Sequence, residues 1–415
     1  MPRSGLPLAR RTRMAALAAV VGPGMLAGLS DDDPAGITTY SILGAEHGYR
    51  LLWVLAVSTA ALVLFHELGA RMGCVTGQGL AGLVRERYGV RWAAVGLACL
   101  LVANIGTTCA EFAGVAAALE LAGVSRYVSV PLAAAAVSAL VLRGGFHRVE
   151  RVLLAVSGVF VAYIAAGLLA SPDWGAAARG LVVPSLPLDR EAVLLTAATV
   201  GTTLAPWGLA FIQSYVADKR LTPKDLSLER VDVVTGAVMT GVIGFFIVVA
   251  CAATLHRQGR SIHDAADAAR ALEPLAGGLA ATLFGAGLLG AALLAASILP
   301  LSTAYSVTEA LGVEGRLDDP WREARVFYAT YGVIVVTAVV IVLLPGAPLV
   351  GILYVTQALN AVLLLPLLVF IRGLARDREL MGVHALGRAE RAATAVAIAA
   401  LAVCVAALAV LSLWR

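Results

Sequence analysis

The chain alternates long apolar runs with short polar joints, and the runs are long enough to cross a bilayer as helices. They lie at about 14–47, 51–70, 93–122, 127–142, 152–170, 191–216, 233–255, 275–306, 326–344, 347–371 and 392–413. That makes eleven spans, the one at Tyr127 being short. The first and the sixth are interrupted. One breaks at Asp33-Pro34-Ala35-Gly36 inside GPGMLAGLSDDDPAGITTY, residues 22–40, and the other at Ala205-Pro206-Trp207-Gly208 inside GTTLAPWGLAFIQSYV, residues 201–216. Proline removes a backbone donor and glycine weakens a helix further, so each span is expected to part into two half-helices. The breaks fall at the same place in two five-span halves, and an odd number of spans makes such halves run in opposite directions. Paired discontinuous helices in an inverted repeat point to a binding site near the bilayer midplane.

Composition fixes the class. With 415 residues, 60% hydrophobic, 14% charged and 42 glycines, and a mean hydropathy of +0.87, the chain is too apolar for a water-soluble domain. It reads as an all-α polytopic membrane protein whose first partner is the lipid bilayer. The five cysteines, Cys74, Cys99, Cys109, Cys251 and Cys404, lie mostly in apolar runs without a CxxC pair and read as packing residues. The net charge of +4 matters less than its placement, and nucleic-acid binding is not indicated. With the N-terminus inside, 23 of the 31 Lys and Arg residues fall on the cytoplasmic face, which fits eleven spans. A plasma-membrane, multi-pass protein with a cytoplasmic N-terminus and an outside C-terminus follows. The basic start, MPRSGLPLARRTR, leads into an apolar run that no small-residue cleavage site follows, and it is expected to be a cytoplasmic tail. The expected units are a tail at 1–13, a first five-helix repeat at 14–171, an extracellular linker at 172–190, a second repeat at 191–371, and a cytoplasmic loop with the eleventh helix at 372–415.

The first break holds Asp31, Asp32 and Asp33 where lipid should be, at about 2.5 to 3.5 kcal/mol each on insertion scales. The end of the preceding half-helix adds partly negative carbonyls, and the second break adds carbonyls freed around Thr202 and Ala205. No basic side chain, Cys, His or Met stands among the offered groups at either break, which describes a site for a hard cation. At helical spacing the three acids point in different directions. Asp33 is the expected ligand and Asp32 the second candidate, while Asp31 is expected to line a water-filled approach.

These residues resemble the natural resistance-associated macrophage protein (Nramp) family of divalent metal transporters. The opening GPG and Asp-Pro break look like that family's first helix, whose motif is Asp-Pro-Gly-Asn. GARMGCVTGQGLAGLVRERYG at 69–89 is similar to its second helix and following loop, and ANIGTTCAEFAGVAAAL from Ala103 to its third. VVPSLP at 182–187, the sixth-span break, and Gln357, Asn360 and Pro366 in TQALNAVLLLP match in place. The resemblance implies a LeuT-like fold of two inverted five-helix repeats plus an eleventh helix, working by alternating access. It also implies metal surroundings of Asp33, Asp32, Gly36, Thr202, Ala205, Gly208 and Gln357. Asp31, Glu111, Thr108, Trp207 and Asn360 would line the approach and any proton path.

The departures carry as much information. Where the family has Asn in the first motif and Met-Pro-His in the sixth helix, this chain has Gly36, Ala205 and Trp207. Loss of the thioether removes the soft ligand that favours transition metals, and small residues leave room for an ion that keeps its waters. The pattern is similar to the Nramp-related magnesium transporter branch. Mg2+, and also Mn2+, is the expected substrate, with no resident cofactor, no enzymatic activity, and no protein partner named by the residues. Glu111 matches one acid of the family's proton route, yet Thr108 and Trp207 replace two further titratable groups, so weak or absent proton coupling is expected. Alternatives are a proton-coupled Mn2+/Fe2+ transporter of the family and a sodium-coupled carrier of an organic solute on the same fold. An enzyme or sensor would want a His or Cys constellation. His66-Glu67 lacks the second His of HExxH and is expected to hydrogen-bond within the bundle. His256 to Glu273, with His263, Asp264 and Asp267, reads as a solvated outer loop with a short helix. Residues 315–325 read as an amphipathic linker, and Trp53, Trp92 and Trp414 as interface anchors.

Overall fold

The computed structural model describes residues 31–144, 161–187, 189–263, 265–269, 280–313 and 319–413, with isolated positions 24, 27, 28, 277, 315 and 317. The tail at 1–13, most of the first half-helix, the start of the fifth span, Asp264 and Trp414 lie outside the described residues. Among those described there is no strand. The helices are α1 (Pro34–His47), α2 (Leu52–Thr76), α3 (Leu80–Tyr88), α4 (Val90–Glu120), α5 (Arg126–Gly144), α6 (Val161–Leu169) and α7 (Trp174–Val182). They continue with α8 (Arg190–Thr203), α9 (Pro206–Asp218), α10 (Leu226–Thr254), α11 (Ala280–Leu311), α12 (Arg325–Val342), α13 (Leu349–Arg376) and α14 (Arg388–Leu413).

Eight of these segments, with α8 and α9 counted as one interrupted span, are long and apolar enough to cross a membrane, and α5 is a shorter apolar helix. Each expected span has a described helix at its place, α6 covering only the end of the fifth. The ends differ more than the spans do. Helix α10 begins at Leu226, well before the apolar run at 233, because Glu229 and Asp232 are buried within it and do not stop the helix. Hydropathy marks where the side chains change, whereas a helix ends where its backbone is capped. All five cysteines are free, in keeping with a packing role.

Both breaks form as the prolines dictate. Asp33 is the N-cap of α1 with Pro34 in its first turn, and Ala205 is the N-cap of α9 with Pro206 in the same place. Proline suits that position because its ring-fixed φ is pre-organised for a helix and its missing N–H has no partner to lose there. The Tyr40 hydroxyl, on α1, lies 2.9 Å from Thr203 Oγ1, the last residue of α8, and so joins the two interrupted spans.

The long helices pack in two groups. One contains α1, α2, α8, α9 and α10, and the other α4, α5, α11 and α12, with α13 lying against α1, α4 and α8. Lipid tails are as apolar as leucine, so association between such helices depends on close packing of small residues and on polar ties. At Gly201 of α8 the backbone of α13 at Gln357 and Ala361 fills the place a Cβ would need. Among the polar ties, Arg71 of α2 bonds Glu67 at 2.5 Å and Glu390 of α14 at 2.6 Å, and Arg230 of α10 bonds Glu67 at 2.6 Å.

Candidate functional site

The two breaks meet inside the bundle. Asp33 Oδ1 accepts the Gly36 amide at 2.5 Å, which fixes the carboxylate at the head of α1. Gly36 then leaves a hole ringed by oxygen. A Cβ there would lie 2.9 Å from the Asp31 carbonyl, 3.1 Å from Thr202 Oγ1 and 3.3 Å from Asp33 Oδ1. Oxygens from both breaks therefore surround one point, and the Thr202 hydroxyl has no hydrogen bond within the protein. The heads of α1 and α9 present partly positive helix ends to this region, so attraction for a cation has to come from the carboxylates and from carbonyl and hydroxyl oxygens.

Asp31, Asp32 and Asp33 are all buried, at 1%, 0% and 2% exposure, and neither Asp31 nor Asp32 makes a side-chain hydrogen bond within the protein. The Asp31 carboxylate turns away from the Gly36 hole toward Gly208. Glu111 of α4 comes in from the other side. Gly114, one turn further along the same face, lies against Pro34, and this brings the Glu111 carboxyl beside Asp33. Thr108 donates back to the Asn104 carbonyl at 2.6 Å. Trp207 is fully buried, and its carbonyl accepts from Ser302 of α11 at 2.9 Å.

The Ala205 carbonyl accepts the Gly208 amide at 3.1 Å, an i to i+3 bond across the head of α9. Gln357 of α13 is buried against Gly201, with Oε1 accepting from Asn360 Nδ2 at 3.1 Å, and that amide also reaches Thr107 Oγ1 at 3.0 Å. Asn104 donates to Thr303 of α11 at 2.8 Å. The structure thus gathers Asp33, Gly36, Thr202 and the Asp31 carbonyl at one point, sets the Asp31 carboxylate and Gly208 one step away, and ties Gln357 to Asn360 behind α8.

His66 departs from the sequence reading. It is fully buried on α2, and neither ring nitrogen hydrogen-bonds within the protein, so the expected bond inside the bundle does not form. Glu67 instead holds the two arginines, Arg71 and Arg230. His66 Nε2 and Asp31 Oδ1 each lie 3.3 Å from the place of a Cβ on Gly208. Nothing local in the sequence signals this meeting. Among the described residues, no group of three or more His, Cys, Asp or Glu could hold a metal ion by side chains alone. Toward the Asp218 end of α9 a cavity of about 670 Å³ opens, lined in part by Gln78, Glu86, Asp218, Tyr305 and Glu309.

Residues 24–412 match the family described as natural resistance-associated macrophage protein-like. The divalent metal cation transporter MntH of Burkholderia ambifaria is 34% identical over 295 residues, 66% of this chain and 64% of that protein. MntH of Acidiphilium cryptum is 32% identical over 279 residues, 63% of each chain. The chain matches a little under two thirds of the length of these relatives. Among solved structures, the Eremococcus coleocola manganese transporter bound to an aromatic bis-isothiourea substituted compound has a TM-score of 0.78 at 18% identity, over 96% of this chain and 87% of that one. Mhp1, a nucleobase-cation-symport-1 family transporter, has a TM-score of 0.59 at 15% identity, over 95% of this chain and 90% of its own. The shared fold is the LeuT-like one.

Proposed function

The chain belongs to the natural resistance-associated macrophage protein family, and from that premise we propose that it carries divalent metal cations across the membrane by alternating access, Mg2+ foremost and Mn2+ also. The observation that carries this reading is the ring of oxygens around Gly36. Asp33 Oδ1, the Asp31 carbonyl and Thr202 Oγ1 come from both breaks and converge where Gly36 has no side chain. Such a donor set suits a hard ion that keeps several of its waters. Ala205 brings no thioether and no soft ligand stands at the ring, which removes the usual advantage of transition metals. The name of the MntH relatives and the manganese transporter with the same fold support a divalent metal as substrate.

The basic loops, by their excess of Lys and Arg, face the cytoplasm in this reading, and the cavity at the Asp218 end then belongs to the inner route. Weak or absent proton coupling is part of the proposal. Thr108 is occupied with its own helix and Trp207 cannot titrate, which leaves Glu111 beside Asp33 as the residual acid. Entry would then be driven by the metal gradient and the membrane potential, a divalent ion gaining about 4.6 kcal/mol per 100 mV across the full field.

The test is metal flux into proteoliposomes of the purified protein, read by a lumenal Mg2+-sensitive or Mn2+-quenched dye. Mg2+ and Mn2+ uptake that disappears in Asp33→Ala is expected. A wild-type protein that moves neither ion refutes the proposal.

A further inference from the structure

Among the buried polar groups that lie outside the Gly36 ring without a partner, the Asp31 carboxylate and the His66 imidazole stand close to one another. Both Asp31 oxygens and both His66 nitrogens lack a hydrogen bond within the protein, at 1% and 0% exposure. Burying polar groups unpaired is unfavourable, more so for a charged one, so a pair of them on facing segments calls for a third party. The space between them is set by Gly208. Asp31 Oδ1 and His66 Nε2 are each 3.3 Å from the point a Cβ would take, with Asp31 Oδ2 at 3.8 Å.

The two ligand atoms are thus at most about 6.6 Å from each other, a span that a divalent cation bound directly to the imidazole nitrogen, with bonds of about 2.0–2.4 Å, crosses to the carboxylate directly or through one of its waters. Gly208 lies in the first turn of α9, and His66 sits in the half of α2 nearer Arg71 and the basic loops. The position is therefore displaced from the Gly36 ring toward the end of the bundle that carries those loops.

We propose that Asp31 and His66 form a second cation position, beside Gly208, which receives the metal as it leaves the Gly36 ring toward the basic-loop end. This rests on the metal-transport reading and adds to it a site with different chemistry. The Gly36 ring offers oxygen alone, whereas the second position offers one carboxylate and one imidazole nitrogen. Imidazole suits Zn2+, Fe2+ and the later transition metals, and binds Mn2+ more weakly at the low end of the same order, whereas Mg2+ keeps to oxygen. Transition metals should dwell at Asp31 and His66, while Mg2+ passes this point held by its waters and the carboxylate alone.

The experiment is pulsed electron paramagnetic resonance of Mn2+ bound to the purified full chain, free of any histidine tag. The expected wild-type spectrum carries the nitrogen modulation of a directly bound imidazole, shifted when histidine alone is labelled with 15N. Asp33→Ala should keep that modulation while losing flux. His66→Leu should lose it, and the Mn2+ stoichiometry should fall from about two to about one. Gly208→Ala keeps both side chains but sets a methyl 3.3 Å from each ligand atom, so it should also weaken the signal and covers the case of a His66 variant that does not fold. A wild-type spectrum without imidazole nitrogen, or one unchanged in His66→Leu or Gly208→Ala, overturns the proposal. Loss of flux in Asp33→Ala reports on the Gly36 ring separately, so the two readings fail in different measurements.

Discussion

Gly36→Ala is the most direct probe of the oxygen ring. The added methyl would lie 2.9 Å from the Asp31 carbonyl oxygen, 3.1 Å from Thr202 Oγ1 and 3.3 Å from Asp33 Oδ1. The nearest of these is a backbone atom of a buried segment, so it cannot swing aside as a long side chain would. Overpacking of this kind costs about 1–3 kcal/mol. Where the overlap is relieved by displacing ring oxygens, that strain sets an upper bound of about 150-fold on the loss of Mg2+ affinity, at a factor of ten per 1.4 kcal/mol. The methyl also takes space that a hydrated ion needs. Proteoliposome uptake over a range of Mg2+ concentrations would show this as a raised half-saturation concentration. Gly106→Ala is the control, because its Cβ would meet only Thr356 of α13 at the ordinary distance of 3.4 Å. Wild-type uptake by Gly36→Ala, or an equal loss in Gly106→Ala, would refute the reasoning.

Ala205→Met restores a soft ligand at the second break, and competition uptake should show the preference for Mn2+ over Mg2+ rising by about tenfold. Thr202→Val removes the hydroxyl at nearly constant volume and should weaken Mg2+ uptake, by an amount typical of one hydrogen-bonding group, about 1 kcal/mol or fivefold. A lumenal pH dye should report no acidification that tracks Mg2+ entry, and proton influx in step with the metal would contradict the assignment of Thr108 and Trp207. Arg71→Met removes a nearly buried guanidinium that holds Glu67 and Glu390. It should lower the thermal midpoint of the detergent-solubilised protein by a few degrees, about what a loss of 1–3 kcal/mol produces in a chain of this size.

The broken spans were readable because their causes are local. Asp33-Pro34 and Ala205-Pro206 write the cap and the first turn of α1 and α9 into adjacent residues, and the structure forms both. The packing of Gln357 against Gly201 was partly readable, since a polar residue in an apolar run has to meet something buried. His66 was not. Its neighbours Asp31 and Gly208 are distant in the chain, and a lone histidine in an apolar helix carries no sign of what it will face. The tie between Arg71 and Glu390 was hidden for the same reason, being an ion pair between the second span and the last. The start of α10 at Leu226 escaped because a charged residue ends an apolar run without ending a helix.

The approach of α8 to α13 at Gly201 limits how the machine can move. With the backbone of Gln357 and Ala361 pressed into the place of a side chain, the two helices touch backbone to backbone at this point, and we expect them to move together as one lever. Freedom to bend lies instead at the short joint of Leu204 and Ala205, where the i to i−4 ladder is interrupted before α9 begins. A swing of α9 about that joint leaves Thr202, Gln357 and Asn360 standing still on the lever while Gly208 travels. The fixed wall of the site and its moving wall are then separated by two residues of chain.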